Sequence, residues 1–367
     1  MSDSASIFSG GTARRARFPV IDAHNHLWGA WDNVDRAVRV MDEAGVLCYC
    51  DLTANVRIVW VDGGYRVAPG RFKDFVHHAA DRYTGRFYGF TTATFTRPLT
   101  EPLFKDAGAF VDETLDILRA DVRHGARGLK LLKEFGLHYR DGQGSLIACD
   151  DKRLFPVWTE CARLGIPVLI HQADPIGFFQ PPTPDNEHYE TLKKYPSWRF
   201  HGPKYPSFEI LQRNYRNLVR SHPATTFLLP HCANWPENLA YVAGLLDECP
   251  NAFIDCSARI DELGKRPDEA RDFLIRYRDR VYFGTDMPAS NGMYACYFRF
   301  LETDDRDIIP PDYDGAFGRY RWKMTGLDLP NGVLRAIYYE NALRLIPGLA
   351  RDLSGRIPEQ PDNDHAT

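Results

Sequence analysis

Short apolar runs alternate with helix-like stretches along most of the chain. Apolar residues recur with a helical period in residues 110–125 and 207–223, among other stretches. Between them lie eight runs rich in β-branched and aromatic residues, which we interpret as strands. These runs are residues 18–24, 45–53, 86–95, 126–135, 166–174, 225–234, 252–259 and 281–288. Strands that alternate with helices are typical of a parallel sheet.

The number of strand–helix units predicts an α/β fold of the (β/α)8 TIM-barrel type. Eight units within roughly 250–300 residues favour a closed barrel over an open, doubly wound sheet. The doubly wound sheet is the alternative, but no Gly-x-Gly-x-x-Gly motif follows any predicted strand. We expect a single barrel domain over residues 18–352, with flexible tails at residues 1–17 and 353–367.

Three stretches interrupt the minimal repeat. Residues 55–72 contain two alternating runs around Asp-Gly-Gly, which predicts a hairpin inserted after strand two. Residues 175–206 after strand five and residues 289–330 after strand eight form long connections rich in aromatic residues. Long connections in a compact domain are often functional, and loops that follow barrel strands lie on the active face.

Composition narrows the class of protein. With 44% hydrophobic residues the chain can bury a large core, and a net charge of -4 gives no reason to expect nucleic acid or an anionic membrane as partner. No stretch approaches the roughly 18 apolar residues of a membrane-spanning helix. The eight cysteines are scattered and form no Cys-x-x-Cys pair, which favours a reduced, cytoplasmic protein.

Five side chains of metal-binding type lie at the ends of predicted strands. His24 and His26 end the first strand and, being two residues apart, share a face. His171 follows the fifth strand, His231 the sixth and Asp286 the eighth. Each alone could be structural, but the carboxyl ends of barrel strands converge on one mouth. The coincidence of all five predicts a metal site there.

This set resembles the amidohydrolase superfamily, whose members carry His-x-His on strand one, histidines on strands five and six, and Asp on strand eight. "GTDMP" at 284–288 and "YYENALRLIPG" at 338–348 look like its amidohydrolase-related branch. That branch includes metal-dependent hydrolases and non-oxidative decarboxylases such as aminocarboxymuconate-semialdehyde decarboxylase. The resemblance implies that His24, His26, His171 and Asp286 bind metal, that His231 is a catalytic residue beside it, and that the protein is a homodimer.

The predicted ligands also indicate which metal ion would bind and what it would do. Three imidazoles and one carboxylate with an open position suit Zn²⁺, with Mn²⁺ as the alternative. A metal of this kind lowers the pKa of a bound water, and Asp286 would accept the proton of that water. His231 would either stabilise a developing oxyanion or hold the water. Binuclear superfamily members carry a carboxylated lysine at the end of strand four. Here Lys130 lies within that strand, with Lys133 and Glu134 nearer its end, and we expect one metal per chain.

Residues near the predicted mouth are candidates for substrate contact. They are Trp28, Lys130, Asn234, Trp235 and Arg259. An aromatic residue there could equally be packing, and Arg259 could equally form a surface ion pair.

Three functions are compatible with this sequence. The first is a metal-dependent hydrolase of a small carbonyl-containing substrate, such as an amide, ester, lactone or β-keto compound. The second is non-oxidative decarboxylation of an aromatic or unsaturated carboxylate. The third is a catalytically silent barrel that binds a small molecule, against which the complete ligand set argues.

Overall fold

The strands form most of the predicted ring. The structure, a computed structural model, describes residues 14–28, 33–61, 64–309 and 322–357. Its strands are β1 (Val20–Asn25), β2 (Val46–Asp51), β3 (Val56–Val61), β4 (Gly64–Pro69), β5 (Phe87–Gly89), β6 (Leu129–Leu131), β7 (Val168–Ile170), β8 (Phe227–Leu229) and β9 (Ala252–Ile254). Two parallel sheets, in the orders β1-β2-β5 and β6-β7-β8-β9, contain every strand but the β3–β4 pair.

Single hydrogen bonds and bridges connect these two sheets into a barrel. A parallel bridge between Thr91 and Leu129 joins the β5 side to β6. On the other side Val281 bridges to Ile254 of β9, and the Ala23 N–H of β1 donates to the Phe283 carbonyl at 3.0 Å. Residues 281–283 therefore occupy the eighth barrel position without a continuous ladder. The order confirms the predicted (β/α)8 barrel.

Helices surround the barrel and its mouth. They are α1 (Val34–Ala44), α2 (Phe72–Phe75), α3 (Ala107–Arg123), α4 (Phe155–Leu164), α5 (Tyr189–Lys194), α6 (Phe208–Ser221), α7 (Leu239–Glu248), α8 (Ile260–Gly264), α9 (Pro267–Arg276), α10 (Asn291–Glu302), α11 (Asn331–Arg335), α12 (Asn341–Leu345) and α13 (Leu349–Asp352). Local sequence sets several boundaries. The Ser207 side chain accepts from the Ile210 N–H at the start of α6, and Gly45 ends α1 with a φ of 81°.

The insertions after strands two and eight contain regular secondary structure. The predicted hairpin after strand two is confirmed, since β3 and β4 pair antiparallel from Val56–Pro69 to Val61–Gly64. The connection after strand eight is not simply a long loop, because α10 occupies Asn291–Glu302 and buries one face that includes Met293 and Tyr297. Part of the predicted connection, residues 310–321, lies outside the described residues.

The connection after strand five has a small core of its own. Phe178, Leu192 and Phe200 from this connection pack with Phe208 and Leu211 of α6, separately from the main barrel core. The segment is therefore a folded wall beside the barrel mouth.

The described parts of the predicted tails contact the barrel. The Arg17 N–H donates to Glu302 at 2.9 Å, and Leu353 is buried. The rest of these tails, residues 1–13 and 358–367, lies outside the described residues. All eight cysteines are buried and free. In the described part of the chain, no helix combines the length and apolar character needed to span a bilayer.

Candidate metal centre

His24, His26 and Asp286 converge at the barrel mouth. One ligand atom from each lies within 4.8 Å of the other two. The Asp286 Oδ1 is 3.3 Å from the His26 Nε2 and 3.7 Å from the His24 Nε2. Both histidines are buried at the end of β1, as the spacing of two residues on one strand predicts.

The backbone after residue 283 brings Asp286 against β1. The Thr285 and Asp286 N–H groups both donate to the His24 carbonyl, at 3.1 and 2.8 Å. A Cβ atom at Gly284 would lie 2.4 Å from the Cβ of His24, so only glycine allows this close approach. Asp286 itself has a φ of 53°, a left-handed conformation that Asp and Asn tolerate better than most residues.

Hydrogen bonds orient the imidazoles from behind. The His24 Nδ1 lies 2.7 Å from the Asp255 Oδ2, and the His26 Nδ1 lies 2.9 Å from the Thr53 hydroxyl. The His231 Nδ1 lies 2.7 Å from the Ser257 carbonyl. These bonds direct the Nε2 atoms of all three rings towards Asp286.

The Nε2 atoms that point towards Asp286 are suited to binding a metal ion. Among the described residues, the buried Nε2 atoms of His24 and His231 have no hydrogen-bond partner. Buried polar atoms are normally satisfied, and a metal-binding histidine normally has its other nitrogen held by a carboxylate or carbonyl. His24, held by Asp255, has both features. The arrangement makes His24, His26 and Asp286 a candidate cation site.

His231 and His171 lie at increasing distance from this group. The His231 Nε2 is 3.6 Å from the Asp286 Oδ2, and its ring centroid is 5.1 Å from that of His24. The His171 ring is 4.4 Å from the His231 ring, but its Nε2 lies 3.1 Å from the Ala173 carbonyl. The structure thus brings three of the five predicted residues, His24, His26 and His231, around the carboxylate of a fourth, Asp286. The role of His171 as a ligand stays a prediction.

Burial and neighbouring charges set the protonation states. Burial lowers the pKa of His26 and of His171 to about 4, and it holds the pKa of His231 well below the usual histidine value. Burial alone would raise the pKa of Asp286, but His24, His26 and Lys130 keep it below its ordinary value. Neutral imidazoles beside an ionised carboxylate are the protonation states that a divalent cation requires.

A cavity of about 1080 Å³, counted out to its open mouth, lies in front of this group. Aromatic side chains supply much of its wall, namely Trp28, Phe178, Trp198 and Tyr297. Three cationic side chains also line it: Lys130, Lys133 and Arg259. Burial lowers the pKa of Lys130 to about 8, an effect that Asp286 and Asp255 partly offset.

The predicted substrate contacts divide into two groups. Trp28, Lys130 and Arg259 line the cavity. Asn234 and Trp235 do not: the Asn234 Oδ1 accepts from the Ala173 N–H at 3.2 Å, and Trp235 packs on aromatic rings of α6 and α7. A substrate contact by either of these two residues stays a prediction.

Neither residue considered for a bridging role at the end of strand four joins the metal group. The Lys133 Nζ forms an ion pair with the Asp174 Oδ2 at 2.5 Å. The Glu134 carboxylate pairs with His138 at 2.7 Å. Among the described residues, the group of mutually close ligand atoms at this mouth is His24, His26 and Asp286. The expectation of one ion at the barrel mouth stays a prediction.

Asp255 is a functional candidate that was not among the predicted site residues. This fully buried carboxylate follows β9 directly, holds the His24 imidazole and accepts the backbone N–H of His231 at 2.9 Å. The signal was available, because Asp255 lies at a strand end like the residues that were identified. Thr53 and Ser257 had no such distinguishing signal.

The chain is similar to known proteins in both sequence and fold. A family model described as Amidohydrolase matches residues 21–348. A TIM-barrel protein from Bordetella bronchiseptica superposes with a TM-score of 0.51 at 18% identity, covering 87% of this chain and 83% of that one. A search of curated proteins finds no significant match.

Two decarboxylase structures are similar in fold. A 2,6-dihydroxybenzoate decarboxylase from Rhizobium has a TM-score of 0.50 at 15% identity, covering 89% of this chain and 98% of that one. A dihydroxybenzoic acid decarboxylase from Polaromonas sp. JS666, with bound manganese and the inhibitor 2-nitroresorcinol, has a TM-score of 0.50 at 14% identity, covering 92% and 99%. At sequence identities this low, the similarity to these structures shows a shared barrel fold and nothing further.

Proposed function

This chain belongs to the amidohydrolase family, and from that premise we propose that it is a metal-dependent enzyme that removes CO2 from a small aromatic or unsaturated carboxylate. The observation that carries the proposal is the cavity, in which aromatic walls and buried cationic groups face the His24, His26 and Asp286 cluster. The structurally similar Rhizobium and Polaromonas proteins are decarboxylases of dihydroxybenzoates, which are substrates of this class.

The lining of the cavity suits a flat, anionic molecule. Trp28 and Trp198 provide surfaces against which a conjugated ring can pack. Lys130 is 1% exposed and lines the cavity, where Asp286 and Asp255 are its nearest opposite charges. Burying a cation is costly unless an anion lies close to it, and a substrate carboxylate in the cavity would pair with this ammonium. Arg259, also on the cavity wall, could contribute a second contact to the same anion.

One divalent cation would be held by His24, His26 and Asp286, with His171 as a further predicted ligand. When bound, this ion would orient the substrate and polarise its oxygen atoms. The donor set suits Zn²⁺ or Mn²⁺, and the ion in the Polaromonas protein is manganese. Asp255 and Thr53 would hold the two β1 imidazoles in the orientation that binding requires.

Asp286 is the residue best placed to move a proton. Replacement of the carboxylate by hydrogen breaks one C–C bond and forms one C–H bond, so a proton must reach the substrate carbon. Asp286 is partly open to the cavity and is ringed by three imidazoles. Because its ionised form is favoured, it would carry a proton only transiently, taking it from water or a substrate hydroxyl.

Hydrolysis is the second candidate, and the ionised state of Asp286 favours it. A carboxylate of low pKa beside a metal site can accept a proton from an attacking water as readily as it can pass one to carbon. His231, at 3.6 Å from Asp286, would then stabilise the developing oxyanion.

A product assay separates these reactions. The metal-loaded protein is incubated with hydroxybenzoates and unsaturated diacids on one hand, and with amides, esters and lactones on the other. Release of CO2 together with an organic product that contains no ¹⁸O from labelled water supports decarboxylation. Incorporation of ¹⁸O without CO2 supports hydrolysis and overturns the first proposal. Tight binding of a carboxylate with neither product would favour the silent barrel.

A further inference from the structure

A second group of metal-binding side chains lies beside the same cavity. One ligand atom each from Glu187, His188 and Glu237 lies within 4.8 Å of the other two. Glu262 lies next to this group, since its Oε1 is 3.9 Å from the His188 Nε2, which in turn is 3.6 Å from the Glu187 Oε1. The group shares no residue with the His24, His26 and Asp286 cluster.

Three separate segments contribute to this group. Glu187 and His188 come from the connection after β7, Glu237 precedes α7, and Glu262 lies in α8. His188, Glu237 and Glu262 are separated by about 50 and 25 residues, so they form no recognisable sequence motif. They come together only in the folded chain. We call these four residues the rim cluster.

Some oxygen atoms of the rim cluster already have protein partners. The Lys265 ammonium pairs with the Glu187 Oε2 at 2.7 Å, and the Ile176 N–H donates to the Glu237 Oε1 at 3.1 Å. Two other carboxylate oxygens of the rim cluster have no such partner. Among the described residues, no donor reaches the buried Oε2 atoms of Glu237 and Glu262.

Glu262 is the observation that points to a ligand. Its side chain is 1% exposed and approaches His188, yet one of its oxygens lacks any donor in the described part of the chain. Burial and the adjacent Asp261 raise its pKa well above the ordinary value, although Arg259 acts in the opposite direction. Burial and Glu262 also raise the pKa of Glu237 to about 7. Acidic groups packed this closely need either protons or a cation.

We propose that Glu187, His188 and Glu237 form a second binding site for a divalent cation, with Glu262 beside it. Two carboxylates and one imidazole suit Mn²⁺ better than Mg²⁺ or Ca²⁺, which prefer oxygen ligands alone. Burial lowers the pKa of His188 to about 4, so its ring is neutral and able to coordinate at physiological pH.

A cation here would tie the wall of the cavity to the barrel. His188 packs on Phe178 at 5.2 Å between ring centroids, and both residues line the cavity. Glu237 and Glu262 are attached to barrel strands β8 and β9 through short connections. An ion shared by these segments would fix the position of the wall. This inference stands independently of the reaction proposed above.

The test removes the first site and titrates the second. Full-length His24→Ala/His26→Ala protein is titrated with Mn²⁺, and free Mn²⁺ is followed by its electron paramagnetic resonance signal. We expect one equivalent to bind. Adding Glu237→Gln and Glu262→Gln should weaken that binding at least about tenfold. Glu209→Gln, which changes an exposed glutamate of α6, should leave it unchanged.

Two results would overturn the proposal. One is the absence of Mn²⁺ binding by a His24→Ala/His26→Ala protein whose circular dichroism is native. The other is unchanged binding after the Glu237 and Glu262 substitutions, which would mean that these residues hold protons rather than a cation. If the combined variants do not fold, Glu187→Gln in the otherwise unchanged chain provides the test, since this side chain is partly exposed. It should remove one of two equivalents, and retention of both contradicts the site.

Discussion

The Nδ1 of His24 lies 2.7 Å from the Oδ2 of Asp255, with both side chains fully buried. This bond places the His24 proton on Nδ1 and leaves Nε2 directed at Asp286. The same carboxylate accepts the His231 backbone N–H through its other oxygen. One carboxylate that never faces the substrate cavity thus positions two residues that surround Asp286.

Asp255→Asn should weaken metal binding, although the new side chain has nearly the same shape as the original one. The amide cannot accept from the His24 Nδ1 as strongly as a carboxylate does, so the ring loses its fixed orientation. Loss of such an outer partner typically costs about 10–100-fold in metal affinity. Isothermal titration with Mn²⁺ or Zn²⁺ measures it, with Asp272→Asn on the exposed face of α9 as control. Equal affinity in the two variants would contradict a positioning role for Asp255.

Asp286→Asn should lower turnover by about 10²–10⁴-fold, because the amide can neither accept nor pass on a proton. Asn tolerates the left-handed backbone at this position, so the fold should be retained. Turnover of the first identified substrate and near-ultraviolet circular dichroism are the two measurements. A folded variant with nearly full activity would remove Asp286 from the mechanism.

Lys130→Met should raise KM for a carboxylate substrate about tenfold or more, since a hydrogen bond to a charged group contributes about 1.5–3 kcal/mol. The unaltered protein should also show a pH effect. The pKa of Lys130 is about 8, so this side chain is charged below that pH and loses its proton above it. The KM for a carboxylate substrate should therefore rise as the pH passes 8. Lys73→Met, at an exposed position, is the control. A KM that stays constant through pH 8 argues against Lys130 as the carboxylate partner.

Gly284→Ala should disturb both stability and the metal site. The added methyl group would overlap the Cβ of His24, and overpacking of this kind costs about 1–3 kcal/mol. Thermal unfolding and Mn²⁺ affinity should both decline. Gly244→Ala within α7 introduces the same methyl group where no atom lies within 4 Å, and should be neutral or stabilising. Wild-type affinity in Gly284→Ala would show that the close approach to His24 is not needed.

The barrel and most of the metal centre were predictable because they follow strand periodicity. His24 and His26 share a face since they lie two residues apart on β1, and strand ends converge in any parallel barrel. The orientation of His171 was not predictable in this way. A strand-end position does not fix the side-chain torsions, and here the ring turns towards the Ala173 carbonyl.

Other features depend on contacts that no local pattern encodes. The predicted sixth strand was expected to run to residue 234, but β8 ends at Leu229 because residues 231–234 adopt positive φ. That conformation is disfavoured for non-glycine residues, and bonds from the His231 and Cys232 N–H groups to Asp255 hold it in place. The turn carries Asn234 and Trp235 away from the cavity. The rim cluster likewise depends on tertiary packing.

Metal content tests the central claim that His24, His26 and Asp286 hold a divalent cation. Plasma mass spectrometry would compare the wild-type protein with His24→Ala/His26→Ala after both are loaded with Mn²⁺ or Zn²⁺ and freed of excess ion. We predict that the double variant contains about one equivalent less per chain, because two of the three converging ligand atoms are gone. Equal metal content in two folded proteins would contradict the account, and the histidines of β1 would then be structural.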